Sequence, residues 1–180
     1  MNYCSQCGAT VALRVPQGED RTRYVCDACG VVHYQNPKLV VGCVPELPDG
    51  RLLICKRAIE PRVGYWTIPA GYMENGETLQ QAAARESLEE ACAQVEIGSL
   101  LAVVQITHAH QVHVFFRARL LSENVGPGPE SLDVRIIRPD EIPWRDIAFP
   151  STEYTLQRYL EDRRDGFDRH HFTELNRRFR

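Results

Sequence analysis

The stretch Gly71-Tyr-Met-Glu-Asn-Gly-Glu-Thr-Leu-Gln-Gln-Ala-Ala-Ala-Arg-Glu-Ser-Leu-Glu-Glu-Ala-Cys-Ala93 decides how this chain is read. Its middle, Leu79 to Ala84 and then Leu88, is made of strong helix formers with no Gly or Pro among them. Thr78 followed three residues later by Gln81 is a capping-box pattern and sets the start of the helix, with Gly76 as a turn residue just before it. Glu86, Glu89 and Glu90 then follow at spacings of three and four, which puts them on one face within a turn of each other. Like charges so placed repel, and a cation among them reverses the sign. Hard divalent ions, Mg²⁺ above all, take a few carboxylates together with substrate phosphates. For three glutamates alone the plain alternative is a solvated acidic face.

The wider spacing carries more. Gly71, five residues, Glu77, seven residues, Arg85-Glu86, two residues and Glu89-Glu90 together resemble the signature of the Nudix hydrolases. Trp66 to Gly71 is similar to the family's lead-in strand. Ser87, Cys92 and Ala93 depart from the pattern, standing where an aliphatic residue, a glycine and a larger aliphatic are usual. These are packing and helix-exit positions, not ligands.

The resemblance implies an α+β fold, an α/β/α sandwich around a mixed sheet, over about Pro37 to Arg164. It implies Mg²⁺ or Mn²⁺ on Glu86, Glu89 and Glu90, and Arg85 paired with Glu77 to hold the ligand helix in place. The base is then Glu89 or an acid from the loop after Gly126-Pro-Gly-Pro129, either Glu130 or Asp133. Arg57, at the end of a strand, stands where the family often puts a basic residue near the substrate, with simple surface charge as the alternative.

Upstream, Cys4-Ser-Gln-Cys7 and Cys26-Asp-Ala-Cys29 form two C-x-x-C pairs, each followed by a glycine, Gly8 and Gly30. Four thiolates at this spacing suit tetrahedral Zn²⁺. The segment between them is too short for a core, so a structural metal would supply its stability. A redox dithiol is the alternative, but no βαβ context surrounds either pair. Over residues 1–36, Arg14, Arg21 and Arg23 balance Glu19, Asp20 and Asp27. A nucleic-acid face normally shows a basic cluster, so no nucleic-acid partner is expected. The organisation expected is a zinc ribbon at 1–36, a Nudix domain at 37–166 and a basic tail at 167–180.

A ribbon before a Nudix domain resembles the NADH pyrophosphatase group and a related group acting on FAD or ADP-ribose. These enzymes cleave a diphosphate joining two nucleoside-like halves. NADH pyrophosphatases carry a Ser-Gln-Pro-Trp-Pro-Phe-Pro type of run downstream. Here its nearest echo is Ile147-Ala-Phe-Pro-Ser151. FAD or ADP-ribose is therefore expected ahead of NADH, with the adenine stacked on Tyr34, Trp66 or Phe149.

The rest of the chain bounds the answer. Residues 39–47 and 52–57 read as a hairpin about Pro48-Asp49-Gly50, and 100–107 with 111–121 as a second. His108, His110 and His113 cluster near that second turn; a metal site is the alternative, and they are expected to be solvated. Ser151 is expected to cap a last helix that runs to about Arg164 and ends at Gly166. The tail after it, rich in arginine, is expected either to hang loose or to dock a partner subunit, which allows a homodimer. The 180 residues are 43% hydrophobic with a net charge of −3, enough for a sizeable core and with no general attraction to nucleic acid or anionic membrane. No apolar run approaches the roughly 20 residues that span a bilayer, and the N-terminus lacks a signal-peptide pattern. Seven cysteines then point to a reducing compartment, and a cytoplasmic location is expected. Two rival readings remain: a Nudix ligand sensor without turnover, which the intact charges argue against, and a zinc-ribbon nucleic-acid protein, which the neutral ribbon argues against.

Overall fold

Helix α1 (Leu79–Ala91) begins where its capping box sets it. Gln81 donates its backbone N–H to Thr78 Oγ1 at 3.2 Å, and Thr78 donates its own to Gln81 Oε1 at 2.8 Å. The helix ends at Cys92, whose φ of 49° is left-handed, a conformation that glycine adopts most easily. That is the physical content of the departure at this position. Ser87, in place of an aliphatic residue, is fully buried, yet its hydroxyl donates to the Ala83 carbonyl at 2.9 Å and lies 3.2 Å from Cys43 Sγ. A buried hydroxyl satisfied this way costs little.

The computed structural model describes residues 1–176 and divides into two compact units, Met1–Pro37 and the chain from Lys38 onward. The first unit is a small antiparallel sheet of β1 (Val11–Arg14), β2 (Arg23–Cys26) and β3 (Val32–His33).

The second unit is a mixed sheet. Its strands are β4 (Lys38–Glu46), β5 (Leu52–Arg57), β6 (Trp66–Thr67), β7 (Ala70–Tyr72), β8 (Val95–Ile106), β9 (Gln111–Leu120), β10 (Ser131–Ile137) and β11 (His171–Glu174). The spatial order is β10-β5-β4-β9-β8-β11. Strand β4 runs parallel to β9, which forms an antiparallel hairpin with β8. The first expected hairpin opens at once: β4 and β5 pair only at Glu46–Leu52, then diverge, β7 pairing with β4 and β6 with β5. The expected strand from Trp66 to Gly71 is thus two short strands broken at Ile68-Pro69, where Pro69 has no N–H to donate.

Alternation along the central strands makes two layers. Val41 and Cys43 of β4, with Val114 and Phe116 of β9, face Ala82 and Ala83 of α1. Val44 and Phe115 point the other way, onto Leu156 and Tyr159 of helix α2 (Pro150–Asp165). Phe115 is only 1% exposed, and a side chain buried this completely contributes about 1.5–3 kcal/mol.

Helix α2 starts on Pro150 in its first turn, with Phe149 as the N-cap and no side-chain cap bond. Proline suits that position because its missing N–H is one the helix leaves unpaired anyway. Ser151, expected as the cap, instead lies inside the first turn and is buried. Gly166 ends the helix in the left-handed conformation, as expected. The segment after it does not hang loose: His171–Glu174 joins the sheet as β11, parallel to β8. Buried Asp162 anchors it, accepting from the Arg169 backbone N–H at 3.2 Å and lying 2.9 Å from His171 Nε2. Arg177, Arg178 and Arg180 lie outside the described residues. Among the described residues no helix is long and apolar enough to cross a membrane.

Candidate active site

A cleft of about 750 Å³ opens in the second unit, and α1 supplies one of its walls with Arg85, Glu86, Glu89 and Glu90. Arg85 organises that wall. Its Nε and Nη2 bond Glu77 at 3.1 and 2.8 Å, its Nη1 bonds Glu86 at 2.7 Å and Glu89 at 2.9 Å, and Nη2 also reaches the Tyr72 carbonyl at 3.0 Å. Beside this guanidinium the Glu77 carboxyl is held down to about 2. The pairing implied by the resemblance is therefore present, and it ties the helix to the loop before it.

Two glycines let the wall close. A Cβ on Gly71 would come within 2.4 Å of the Glu86 carboxylate, so β7 can approach that side chain only with no side chain of its own. A Cβ on Gly128 would lie 1.7 Å from the Glu89 carbonyl oxygen. Without one, Gly126 and Gly128 donate their N–H groups to the Ala91 and Glu90 carbonyls at 2.9 and 3.1 Å. The last carbonyls of α1, which a helix leaves unpaired, are satisfied by this loop. The loop then delivers Glu130 to the cleft. Asp133, the other acid considered, pairs with Arg135 at 2.9 Å on β10 and does not line the cleft.

Burial acts against the charge of two of these acids. Glu90 is pushed up to about 8, first by desolvation and then by the neighbouring Glu86 and Glu130 charges, while the Ala70 N–H at 3.1 Å and Arg57 pull the other way. Glu86 is raised for the same main reason, with Arg85 holding it back. Glu89 is half exposed. Buried carboxyls that repel one another in an all-oxygen donor set are what a hard divalent cation relieves, so Glu86, Glu89 and Glu90 fit Mg²⁺ or Mn²⁺ in chemistry. Their oxygens are not gathered: among the described residues, only the ligand atoms of Cys4, Cys7, Cys26 and Cys29 all lie within 4.8 Å of one another.

The opposite wall is of another kind. His113 on β9 is buried, with Nδ1 3.0 Å from Ser151 Oγ and Nε2 2.9 Å from Gln111 Oε1. Gln111 in turn donates from Nε2 to the Tyr72 hydroxyl at 2.9 Å. Burial pushes His113 down to about 4. The expectation of a solvated histidine fails here, and strand parity explains why: Val112, Val114 and Phe116 face α1, so His113 falls on the opposite face with Phe115. Phe149 lines the cleft with the Arg57 guanidinium 4.9 Å over its ring. Arg57 itself is tied to the Pro61 carbonyl at 2.9 Å. Trp66 is buried between Lys56 and Arg135, 5.7 and 4.9 Å from its ring, and does not line the cleft. Tyr34 belongs to the first unit, where its hydroxyl donates to Glu19.

In that first unit, Cys4 and Cys29 sulfurs are 3.7 Å apart and those of Cys7 and Cys26 3.5 Å. Cys4 with Cys7, and Cys26 with Cys29, each sit on a knuckle of the same kind, with Gly8 N–H donating to the Cys4 carbonyl and Gly30 N–H to that of Cys26, both at 2.9 Å. Backbone N–H groups, that of Cys29 first, draw the Cys26 thiol down to about 7. His33 Nε2 lies 3.3 Å from Cys4 Sγ. The four sulfurs form a ready tetrahedral metal site.

These two units match two known families. Residues 2–35 fit the "Nudix N-terminal" zinc-ribbon family and residues 36–159 the "NUDIX domain" family. An NAD-capped RNA hydrolase, NudC, of Stutzerimonas stutzeri is 30% identical over 162 residues, covering 89% of this chain and 56% of that protein. An ADP-ribose pyrophosphatase of Methanocaldococcus jannaschii is 25% identical over 61% of this chain and 67% of its own length. The chain spans about half the length of the curated NudC relatives it matches. The crystal structure of a Nudix hydrolase from Nitrosomonas europaea superposes with a TM-score of 0.95 at 52% identity, covering 98% of this chain and all of that one.

Proposed function

This chain belongs to the Nudix family, and from that premise we propose that it hydrolyses the diphosphate of an ADP-containing substrate, ADP-ribose or FAD ahead of NADH, and releases AMP. One observation carries the reading: the cleft joins a wall of four carboxylates, Glu86, Glu89, Glu90 and Glu130, to a wall of neutral polar and aromatic side chains. A diphosphate joined to a nucleoside has the same two characters.

Glu86, Glu89 and Glu90 would hold Mg²⁺, which when bound neutralises phosphate charge and makes a water easier to deprotonate. Arg85 keeps the glutamates oriented, tied in turn to Glu77, because outer supports of this kind decide where a ligand points. Glu89, the most exposed of the three, takes the proton of the attacking water, with Glu130 as the other acid in reach of the cleft. The water oxygen forms a new bond to one phosphorus, and the bridging oxygen leaves with the other phosphate. Arg57 stacked on Phe149 gives the substrate a cation beside an aromatic face. The four cysteines would hold a structural Zn²⁺.

The test is kcat/KM for ADP-ribose, FAD, NADH and NAD-capped RNA in parallel at saturating Mg²⁺, with products separated by chromatography. AMP release led by ADP-ribose or FAD supports the reading. NADH ahead by about tenfold, which is about 1.4 kcal/mol in transition-state binding, overturns the order. Capped RNA ahead overturns the expectation of no nucleic-acid partner. No release from any of them leaves the ligand sensor.

A further inference from the structure

Four thiolates around one divalent ion carry a surplus of negative charge, and donors around the sulfurs spread it. The knuckles supply backbone donors. Gln6 N–H reaches Cys4 Sγ at 3.4 Å, Ala9 N–H serves Cys7, and Val31 N–H serves Cys29. Cys26 has two, the N–H groups of Cys29 and Ala28. Cys7 and Cys29 are exposed and open to water, whereas Cys4 and Cys26 are buried. Burial makes the donors decisive, because a charge taken out of water must be compensated by the protein. The buried Cys26 sulfur draws its second donor from the backbone. The buried Cys4 sulfur faces a side chain instead.

That side chain is His33. It stands on β3, where pairing with Tyr24 of β2 fixes its place. Its Nε2 lies 3.3 Å from Cys4 Sγ, across 29 residues of chain. Among the described residues it is the one side chain other than cysteine that reaches any of the four sulfurs. It stands outside the ligand set: the atoms that all lie within 4.8 Å of one another are the four sulfurs, without His33. The direction of the bond follows from the chemistry of ligation. A metal-bound cysteine has lost its proton, so the ring must donate from Nε2 and the sulfur accept.

We propose that His33 is a positioning residue of the zinc site: its Nε2–H donates to the Cys4 thiolate, ties β3 to the first knuckle and slows loss of the ion. The proposal rests on the zinc reading of the four cysteines. Two consequences separate it from simple packing. A hydrogen bond to a thiolate lowers its basicity, and nucleophilicity falls with basicity, so the protection falls on Cys4 above the other cysteines. The protection also belongs to the N–H and not to the ring. Glutamine can place an amide N–H at similar reach, while phenylalanine keeps the ring without the donor.

The test uses the full-length, zinc-loaded protein and follows zinc release to an excess of a chromogenic chelator. Outer partners of metal ligands are typically worth about 10–100-fold in affinity, so His33→Phe should release zinc about tenfold faster and His33→Gln stay within about threefold of wild type. Under limiting alkylating agent, read by peptide mass spectrometry, Cys4 should gain reactivity relative to Cys26 in His33→Phe, and His33→Gln should restore the order. Cobalt loaded in place of zinc should give the same four-thiolate absorption in wild type and His33→Phe. A changed spectrum would make His33 a ligand and overturn the proposal. Equal release rates in wild type and His33→Phe, or equal acceleration of all four cysteines, overturn it too. If His33→Phe is isolated without zinc, His33→Gln decides: a glutamine variant that also lacks zinc overturns the donor role, and one that keeps it supports that role. Wild-type protein without zinc overturns this proposal together with the zinc site beneath it, so the two failures stay distinct.

Discussion

The two donor clusters of this chain are arranged in opposite ways. In the first unit four sulfurs converge within 4.8 Å, and their closeness splits them: backbone N–H groups draw the Cys26 thiol down to about 7, while, against the Val31 N–H, the sulfurs beside it push the Cys29 thiol up to about 12. On α1 the carboxylates are spread along a helix face, two of them bonded to Arg85, and Glu90 is pushed up to about 8, toward the proton and away from the ligand form. One cluster is shaped to keep its ion. The other holds carboxylates under strain that an arriving divalent cation would relieve. That is the difference expected between an ion that builds a fold and one that serves a reaction.

The sharpest way to break the contrast is at the cysteines. The protein should carry about one Zn²⁺ per chain, and structural zinc sites bind with roughly 10–16 kcal/mol. Cys4→Ser or Cys26→Ser should release it and unfold the first unit, while the second unit keeps its melting transition. Elemental analysis and limited proteolysis read both results. Zinc-free protein with an intact ribbon would end the structural assignment.

Next come the glutamates. Glu89→Gln and Glu90→Gln should each lower kcat by about 10²–10⁴, the usual worth of an acid–base group, with zinc content unchanged. Wild-type kcat in both would move the site elsewhere. Gly71→Ala is gentler on the fold than on the chemistry. The nearest atoms the new Cβ meets are the end of one side chain, the Glu86 carboxylate, which would have to shift. We expect Tm to fall by a few degrees and kcat/KM by about tenfold, because a small misplacement at a reacting centre is expensive. A larger loss of Tm than of activity would show that Gly71 serves packing instead.

The contrast also explains what the sequence made legible. The cysteine cluster and the glutamate face were readable because their spacing is local: C-x-x-C on a knuckle and Glu at three and four on a capped helix need no knowledge of the tertiary fold. The capping box and the Gly166 stop were local too. What escaped was set by strand pairing. The splayed β4 and β5, the break at Pro69 and the docking of β11 depend on partners far away in sequence. Trp66 looked as suited to stack a base as Phe149, and only the pairing of β6 with β5 turns it between Lys56 and Arg135. His113 was partly readable, since the alternation of Val112, Val114 and Phe116 already put it on the other face. The turn nearby pointed to solvent, and the α2 layer that covers it was not visible from local sequence.

The smallest effect bears most directly on the strained carboxylates. In the metal-free chain Glu90 holds its proton up to about pH 8, while an unfolded glutamate releases it near 4.5. The folded state therefore binds more protons across that window, and stability falls as pH rises through it. The contribution is whole below about pH 4.5 and lost above about 8. Glutamine cannot ionise, and in Glu90→Gln its side-chain carbonyl can still accept from the Ala70 N–H. Without divalent ion, Glu90→Gln should match the wild type at pH 4.5 and exceed it at pH 8 by about 2 kcal/mol, the scale of one uncompensated buried polar group, or roughly 4–8 °C in Tm. Adding Mg²⁺ at pH 8 should raise the wild-type Tm and close most of that gap, since the ion stabilises only the chain whose carboxylates bind it. Thermal melts at the two pH values, with and without Mg²⁺, give all four numbers. A Glu90→Gln protein less stable than wild type at pH 8 without metal would mean that Glu90 is at ease when ionised. The helix face would then hold no strain at Glu90 for an ion to relieve.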